Sequence, residues 1–391
     1  MKALKRLARR AELRQRAGLN RELTNRTGQD DLIDLASNDY LGLSRHPEVV
    51  ATARKALDQW GLGAGGSRLV RGTTPEHTAL ESDLASHLGS HSALAFSSGY
   101  LANLGVIGAL SKGRTRLLLD AHSHASLHEA ARIATAEAQT WEHNNLADLQ
   151  AKLAAHSGPT LVVCESVYSV CGDAAPLADL HALVSHHPDA LLIVDEAHAL
   201  GVTGPGGAGE VAKAGLARSD RIIITATLSK ALGAAGGVAA GPEIIKRHLQ
   251  DTAKAFIYDT AMPPAVAAGA RAALAIAQES ETRRGELSTR AAHAATQLGV
   301  ARPAAGVLSI PTHDTHAATR WAEVCRKRGV AVGCFRPPST PDSRSRLRLT
   351  INTSVPQQKF YSALTAIKET KPCLKDPSSS PEPTPGSARR S

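Results

Sequence analysis

Between about residues 75 and 300, short apolar runs alternate with longer stretches that carry Ala and Leu at helical spacing. The clearest runs are 115–120, 159–166, 190–196 and 220–227, and each is almost continuously apolar. Such runs are typical of parallel strands that helices cover on both faces, and their alternation with helical segments indicates βαβ units. The pattern therefore predicts an α/β fold whose large domain has a mostly parallel central sheet covered by helices.

The pattern differs on either side of this region. The first 30 or so residues have a helical pattern of Leu, Ala and Arg, and one long helix over about 262–298 should lead into a smaller α+β domain with shorter strands. From Lys375 onward the chain is Pro- and Ser-rich without periodic apolar residues, which predicts disorder. The expected parts are an arm with the start of the small domain (1–45), the large domain (46–285), the rest of the small domain (286–372) and a disordered tail (373–391).

Composition limits the classes of function. The 391 residues exceed the length at which one core tends to divide, in agreement with two domains. No apolar stretch is long enough to span a membrane, and the basic N-terminus has no apolar signal core, so we expect a cytoplasmic protein without a membrane partner. The five scattered cysteines include no C-x-x-C pair, so neither a disulfide framework nor a zinc site is expected.

The net charge of +9 permits three interpretations. No basic block is interleaved with aromatic residues, so an ordinary basic surface is favoured over nucleic-acid binding. A basic entrance for a phosphate-bearing substrate is the third interpretation, and composition does not choose among them.

Lys230 is the most informative residue of the chain. It follows an apolar run directly, within ATLSKALGAAGG, and is surrounded by small residues rather than charges. A partly buried amine with a lowered pKa is a good nucleophile toward a carbonyl group. The hydroxyl of Thr227, three residues earlier, could bind a phosphate. In open parallel sheets, ligands bind beyond the carboxyl ends of the strands, where this lysine should lie.

Asp195 and His198 lie in IVDEAHALG, at the end of another apolar run. A carboxylate that ends a buried strand needs a partner, and a protonated pyridine nitrogen is a suitable one. His198 could bind the hydroxyl of the same ring. D-E-A-H is also a magnesium-binding motif of helicases, but that function requires G-x-x-x-x-G-K-[ST] upstream, and this chain has no such match.

Two further motifs could bind the same ligand. In FSSGYLANLG, the backbone N–H groups of Gly99 and Tyr100 would begin a helix and form a cradle for a phosphate. In DAHSHASLHEA, three histidines could suggest a metal, but supporting cysteine and carboxylate ligands are missing. We expect no metal and favour His124 as a ring that stacks on an aromatic cofactor.

Arg346 and Arg348 alternate with leucine in RLRLT and should share one face of a strand. One of them could bind a substrate carboxylate through two hydrogen bonds. The alternative is an edge strand with solvated arginines.

Together these motifs resemble the α-oxoamine synthases, a fold-type-I family that depends on pyridoxal 5'-phosphate (PLP). The resemblance runs from about Asp34 to Ser354. The matching segments, in family order, are LASNDYLGLSRHP, GAGGSRLVRGT, FSSGYLAN, SHASL, ESVYSVCGD, VDEAHALG, TLSKALG, FIYDTAMPPA and RPPSTPDSRSRLRLT.

The resemblance implies roles for individual residues. Lys230 would carry PLP as a Schiff base and move the α-proton, with His124, Asp195 and His198 as the other catalytic residues. The cofactor would be bound by Gly99, Tyr100, His124, Ser169, Asp195, His198, Thr227, Lys230 and Thr260. Thr260 would reach the phosphate held by a neighbouring subunit, which implies a homodimer. The substrate would contact Arg21, Asn38, His124, Ser339 and Arg348.

The resemblance also implies a reaction. The segment CFRPPSTPDSRSRLRLT points to the branch of the family that condenses L-alanine with pimeloyl-CoA, or with a pimeloyl carrier protein, in biotin biosynthesis. The alternatives are a family member that uses glycine with acetyl- or succinyl-CoA, and a non-catalytic basic protein that binds nucleic acid.

The chain departs from the family pattern at a few positions. Asn20 stands where the family has a substrate-binding arginine, and Arg21 is next to it. Cys171 and Ala199 also differ from the residues that the family usually has.

Overall fold

The computed structural model describes residues 2–27 and 31–372. Within them the strands are β1 (Ile33–Leu35), β2 (Ser92–Phe96), β3 (Arg116–Asp120), β4 (Glu137–Trp141), β5 (Thr160–Glu165), β6 (Ala190–Asp195), β7 (Ile222–Thr227), β8 (Gly237–Gly241), β9 (Val307–Pro311), β10 (Val330–Phe335) and β11 (Arg346–Thr350). The helices are α1 (Lys2–Arg16), α2 (Pro47–Trp60), α3 (Pro75–Leu88), α4 (Gly99–Leu110), α5 (Ala125–Ile133), α6 (Leu146–Ala154), α7 (Leu177–Ser185), α8 (Glu210–Lys213), α9 (Glu243–Thr252), α10 (Lys254–Ile257), α11 (Pro264–Gln278), α12 (Glu281–Leu298), α13 (Thr315–Lys327) and α14 (Gln357–Glu369).

Strands β2 to β8 form one sheet in the order β2-β8-β7-β6-β5-β3-β4. The pairs from β7 through β6, β5 and β3 to β4 are parallel, and β8 is antiparallel to both of its neighbours. The mostly parallel central sheet predicted from the sequence is confirmed. Because β5, β6 and β7 are neighbouring parallel strands, their carboxyl ends lie side by side at one edge of the sheet.

Helices cover both faces of this sheet. Successive residues of one strand belong to different core clusters: Val162 and Val194 face one, while Val163 and Ile193 face the other. All four side chains are fully buried. A strand that is buried on both faces has no solvent-facing side that favours polar residues, which explains the almost continuous apolar runs.

The helix predicted over 262–298 is wrong as a single element, because it is divided at residues 279 and 280 into α11 and α12. The buried guanidinium of Arg284 donates to the carbonyl oxygens of Ala277 and Gln278 at the end of α11. Those carbonyls are therefore satisfied by a side chain, and the first helix can end within an otherwise continuous helical pattern.

The second sheet has the order β1-β10-β11-β9. Strand β1, from the start of the chain, pairs parallel with β10, and β11 is antiparallel to both β10 and β9. Strand β11 is therefore internal, and Arg346 and Arg348 are each 4% exposed. The alternative of an edge strand with solvated arginines is wrong.

The limits of the four predicted parts stay a prediction. The predicted disordered tail, 373–391, lies outside the described residues. Among the helices that the structure describes, none combines the length and the apolar character needed to cross a bilayer.

Candidate active site

A cavity of about 170 Å³ lies at the carboxyl ends of β5, β6 and β7. Pairing between the strands sets Glu165 beside Asp195 and Asp195 beside Thr225, so the strand ends are in register. The cavity is lined by Gly99, Tyr100, Asn103, His124, Ser126, Glu165, Asp195, Ala197, Thr227, Ser229 and Lys230. Six of these residues were singled out from the sequence as cofactor ligands: Gly99, Tyr100, His124, Asp195, Thr227 and Lys230.

Lys230 lies in the loop after β7, and its Nζ is 2.9 Å from Nε2 of His198. Burial lowers the pKa of Lys230 to about 8, although the carboxyl groups of Asp195 and Glu165 oppose the change. At pH 7 about one amine in ten is therefore uncharged and able to act as a nucleophile or base.

His198 is held between two groups. Its other ring nitrogen, Nδ1, is 2.6 Å from the hydroxyl of Tyr40, which is fully buried. Burial lowers the pKa of His198 well below its ordinary value, and the positive charge of Lys230 lowers it further. A neutral imidazole has one donor and one acceptor nitrogen, so His198 can form hydrogen bonds with Tyr40 and Lys230 at the same time. The sequence reasoning did not single out Tyr40, although it lies within the LASNDYLGLSRHP segment.

Asp195 is oriented by two donors. Nδ2 of Asn103 donates to Oδ2 at 2.8 Å, and the backbone N–H of Ala197 donates to Oδ1 at 2.9 Å. Asn103 was missed in the sequence reasoning. Its spacing could have identified it, because Asn103 lies four residues after Gly99 and therefore on the same face of α4.

His124 caps the N-terminus of α5. Its Nδ1 is 2.8 Å from Oγ of Ser126 and accepts from the backbone N–H of Ser126 at 3.2 Å. That hydroxyl also accepts from Nδ2 of Asn103 at 2.9 Å, which links the imidazole to the residues around Asp195. Burial lowers the pKa of His124 and the charge of Lys230 acts in the same direction, so the ring that faces the cavity is neutral.

The other histidines of the same segment lie elsewhere. The ring of His122 stacks on that of His143 with centroids 3.8 Å apart. Within the described part of the chain, no group of three His, Cys, Asp or Glu residues is arranged to hold a metal ion.

The N-terminus of α4, where the sequence predicts an anion cradle, lies at the cavity. Ser98 caps the helix by accepting from the backbone N–H of Leu101 at 3.2 Å, and α4 begins at Gly99. A Cβ atom on Gly99 would lie 2.8 Å from Cβ of Thr227, so only glycine allows this close approach. Oγ1 of Thr227 is 2.7 Å from Oγ of Ser229. The helix N-terminus and the two hydroxyls together suit a phosphate group.

Arg348 reaches the same region from the small sheet. Both terminal nitrogens donate to Oδ1 of Asn38 at 3.1 Å, and Nε donates to the carbonyl oxygen of Ser169 at 2.7 Å. Arg346, on the same strand, pairs with Asp342 and donates to Oγ of Ser309 at 3.2 Å. Of the two arginines left open by the sequence, Arg348 is the one held beside the site.

Glu165 is a second carboxyl group in the cavity wall that the sequence reasoning did not use. The backbone N–H of Ser169 donates to it at 3.1 Å, and Oγ of Ser169 donates to it at 3.3 Å. Burial raises the pKa of Glu165 well above its ordinary value, and the neighbouring Asp195 raises it further. The hydroxyl of Ser169 is thus engaged by Glu165 within the protein.

Three predicted residues lie apart from this cavity. Nη2 of Arg21 donates to Oγ of Ser339 at 2.8 Å, so the structure brings these two residues together at an exposed position. Thr260 is exposed and pairs with Ser67 in an isolated β-bridge.

The cavity fits the cofactor that the family resemblance implies. It combines a partly uncharged amine, a carboxylate for a ring nitrogen, and a helix N-terminus for a phosphate, which are the three groups that PLP requires. Oδ1 of Asn103 is buried in the cavity wall without a hydrogen-bond partner among the described residues. An unsatisfied acceptor of this kind is expected where a ligand completes the hydrogen bonds.

Comparisons with known proteins agree with this geometry. The family described as aminotransferase class I and II matches residues 30–367. An 8-amino-7-oxononanoate synthase of Mycolicibacterium smegmatis is 49% identical over 347 residues, which cover 88% of this chain and 91% of that protein.

Two solved structures extend the likeness to the fold. A serine palmitoyltransferase from S. paucimobilis, with PLP joined to myriocin, has a TM-score of 0.88 at 27% identity and covers 94% of this chain and 97% of its own. An 8-amino-7-oxononanoate synthase from Francisella tularensis has a TM-score of 0.75 at 26% identity and covers 86% of this chain and 97% of its own.

Proposed function

The chain belongs to the family of class I and II aminotransferases, with the fold-type-I architecture of its PLP-dependent members, and from that premise we propose that it acts as an 8-amino-7-oxononanoate synthase. It condenses L-alanine with a pimeloyl thioester and releases carbon dioxide and the thiol, as one step of biotin synthesis. The observation that carries the proposal is the convergence of Lys230, Asp195 and His124 on one cavity.

PLP is the cofactor of this site. When bound, it acts as an electron sink that stabilises negative charge at the α-carbon of an amino acid. Asp195, fixed by Asn103 and Ala197, would hold a proton on the ring nitrogen, and the neutral imidazole of His124 would contact the ring. Gly99, Tyr100 and Thr227 would bind the phosphate, and His198 with Ser169 would bind the ring hydroxyl.

Lys230 supplies the movable proton. Because burial lowers the pKa of Lys230 to about 8, its Nζ can take a proton from the α-carbon of L-alanine at neutral pH and later return one. The contact with His198 fixes the position of the amine, and Tyr40 fixes His198 in turn. Because the imidazole of His198 is neutral, it places no positive charge beside the amine that would make the amine a weaker base.

Arg348 and Asn38 orient the carboxylate of the amino acid. The guanidinium is buried and already held by the carbonyl oxygen of Ser169, so its position is set before the substrate arrives. A planar, fixed donor pair selects a carboxylate over a neutral group. Arg21 and Ser339, which contact each other, would bind the outer part of the substrate.

We also propose that the enzyme is a cytoplasmic homodimer. Large apolar side chains are exposed near Thr260: Leu62 at 83%, Val70 at 78% and Tyr258 at 80%. The backbone N–H of Ala261 donates to the carbonyl oxygen of Gly66 at 3.0 Å, so the segments that carry these side chains form one surface. An exposed apolar patch of this kind supports a subunit contact, through which Thr260 would reach the partner's phosphate.

The experiment is an assay of thiol release from pimeloyl-CoA with L-alanine, with the product identified by mass spectrometry. We expect turnover that depends on PLP, and a visible absorption band that borohydride abolishes and that Lys230→Ala lacks. Much faster turnover of glycine with acetyl- or succinyl-CoA would assign the chain to another branch of the family. A colourless, PLP-supplemented protein that binds DNA with a steep salt dependence would instead support the non-catalytic alternative.

A further inference from the structure

Helix α1 carries most of the net charge of the protein. Its 15 residues include seven Lys and Arg and one Glu, which give a net charge of +6 out of the +9 of the whole chain. Lys5, Arg6 and Arg9 lie on one side of the helix, while Leu4 and Leu7 lie on the other. The positive charge is thus concentrated on one short element rather than spread over the surface.

This helix is fully exposed. None of its residues is buried, and Leu4, Leu7 and Leu13 are 55–57% exposed. A helix of this length is marginal in water by itself, because tertiary packing normally supplies most of the stability. An exposed, charged helix with a partly apolar face is therefore suited to contact another macromolecule.

The chain that follows α1 is fixed beside the substrate-binding residues. The guanidinium of Arg336 donates to the carbonyl oxygens of Gly18 and Asn20, and Arg21 donates to Ser339. Arg336 directly follows β10, the strand that pairs with the strand of Arg348. The C-terminal end of α1 is thus attached to the sheet that orients the substrate.

The segment that follows α1 lines a cavity next to the catalytic one. Thr24 and Thr27 line a second cavity, of about 930 Å³, whose wall also includes Asn38 and Ser229. Ser229 lines the smaller cavity with Lys230 as well, so the two cavities share a wall residue. Because eight residues span at most about 28 Å, α1 ends within that distance of Thr24. A partner bound to α1 would therefore lie within reach of the wall of this second cavity.

We propose that α1 is the docking site for an acidic carrier protein that delivers the pimeloyl group as a thioester on a phosphopantetheine arm. The inference deepens the proposed function, on which it rests, by naming the protein-bound donor. Charge complementarity selects this partner: a basic helix attracts an acidic protein, accelerates its encounter and sets its orientation. A lipid surface fits less well, because the apolar face of α1 has two leucines and no Trp or Phe.

The test compares two donors on the PLP-loaded enzyme. The variant Arg6→Glu, Arg9→Glu, Arg10→Glu brings the net charge of α1 from +6 to zero without placing a poor helix former in the helix. With acyl carrier protein loaded with a pimeloyl group, we expect KM to rise at least tenfold. With pimeloyl-CoA, KM and kcat should stay within twofold of the unmodified enzyme, which also shows that the variant is folded.

The matched control is Lys359→Glu, Lys368→Glu, Lys371→Glu, which changes the net charge of the protein by the same amount at other exposed positions. We expect it to leave KM for both donors within twofold. Raising the salt concentration should also increase KM for the carrier-protein donor in the unmodified enzyme and leave the α1 variant nearly unaffected.

Several results would overturn the proposal. Equal losses with both donors, or equal effects of the α1 and control variants, would show that α1 does not recognise the carrier protein. A smaller mass of the α1 variant in light scattering would assign α1 to a contact between subunits. Binding to phosphatidylglycerol vesicles that depends on α1, without any donor effect, would assign it to a membrane surface. If the unmodified enzyme turns over neither donor, the proposed function itself has failed.

Discussion

The uncharged state of Lys230 can be measured directly on the cofactor-free protein. With a pKa of about 8, roughly one amine in ten is neutral at pH 7, against roughly one in 3,000 for an ordinary lysine with a pKa of 10.5. Burial therefore increases the reactive fraction about 300-fold. The assay is a trace pulse of acetic anhydride at a series of pH values, with acetylation of individual lysines followed by peptide mass spectrometry.

We expect the acetylation of Lys230 to reach half of its plateau near pH 8, well below the pH at which an ordinary lysine side chain would reach it. Asp195→Asn provides the second perturbation. The charge of Asp195 opposes the effect of burial, so its removal should lower the pKa of Lys230 and move the midpoint to lower pH by about one unit. A midpoint above pH 10 in the unmodified protein, or a shift to higher pH in the variant, would refute the reasoning.

Three further outcomes follow from the structure. Arg348→Met should lower kcat/KM for L-alanine about 100-fold, because it removes a charge-assisted pair of hydrogen-bond donors. Arg348→Lys should recover only part of this loss. Steady-state kinetics with varied L-alanine measures both variants. Gly99→Ala should weaken PLP binding at least tenfold in a spectrophotometric titration, since the added Cβ would lie 2.8 Å from Cβ of Thr227; unchanged affinity would mean that the cradle is elsewhere. Burial lowers the pKa of His143, but the hydrogen bonds that its ring donates to the carboxylates of Asp120 and Asp173 raise it to about 9. His143→Gln should therefore reduce the free energy of unfolding by about 1–3 kcal/mol at pH 6. The loss should shrink as pH rises through 9, because the protonated ring contributes its full stabilisation only below the ordinary pKa of 6.5. Urea denaturation at pH 6 and pH 10 measures the change. An equal loss at both pH values would contradict a raised pKa of His143.

The parts of the site that the sequence predicted are those governed by strand ends. Asp195 and Lys230 follow apolar runs, and parallel strands bring their carboxyl ends together whatever the rest of the chain does. Gly99 could be found in the same way, because a turn followed by a helical pattern predicts a helix N-terminus. These residues depend on local pattern and on one rule of topology, and the structure places all three around one cavity.

The parts that the sequence did not reveal depend on contacts between distant segments. Arg346 and Arg348 are equivalent in the pattern, and only the fold separates them, by bringing Asn38 to one and Asp342 to the other. Tyr40 likewise acquires its place through a contact with His198, 158 residues away. The division between α11 and α12 depends on buried Arg284, which donates to the carbonyl oxygen of Ala277. The periodicity of the sequence does not predict this hydrogen bond.

Two carboxyl groups at paired strand ends show why position alone does not define a role. Glu165 and Asp195 lie opposite each other on β5 and β6, and both line the cavity. Burial raises the pKa of Glu165, and the charge of Asp195 raises it further, so Glu165 ionises less readily than an ordinary glutamate. Asp195 accepts a hydrogen bond from the amide of Asn103 on α4, the helix whose N-terminus lies at the same cavity. In the proposed function, one helix would therefore supply both the phosphate-binding N–H groups and the donor that orients the carboxylate for the ring nitrogen. Since the two ends of PLP are a fixed distance apart, a rigid helix is the element that can hold both partners in register.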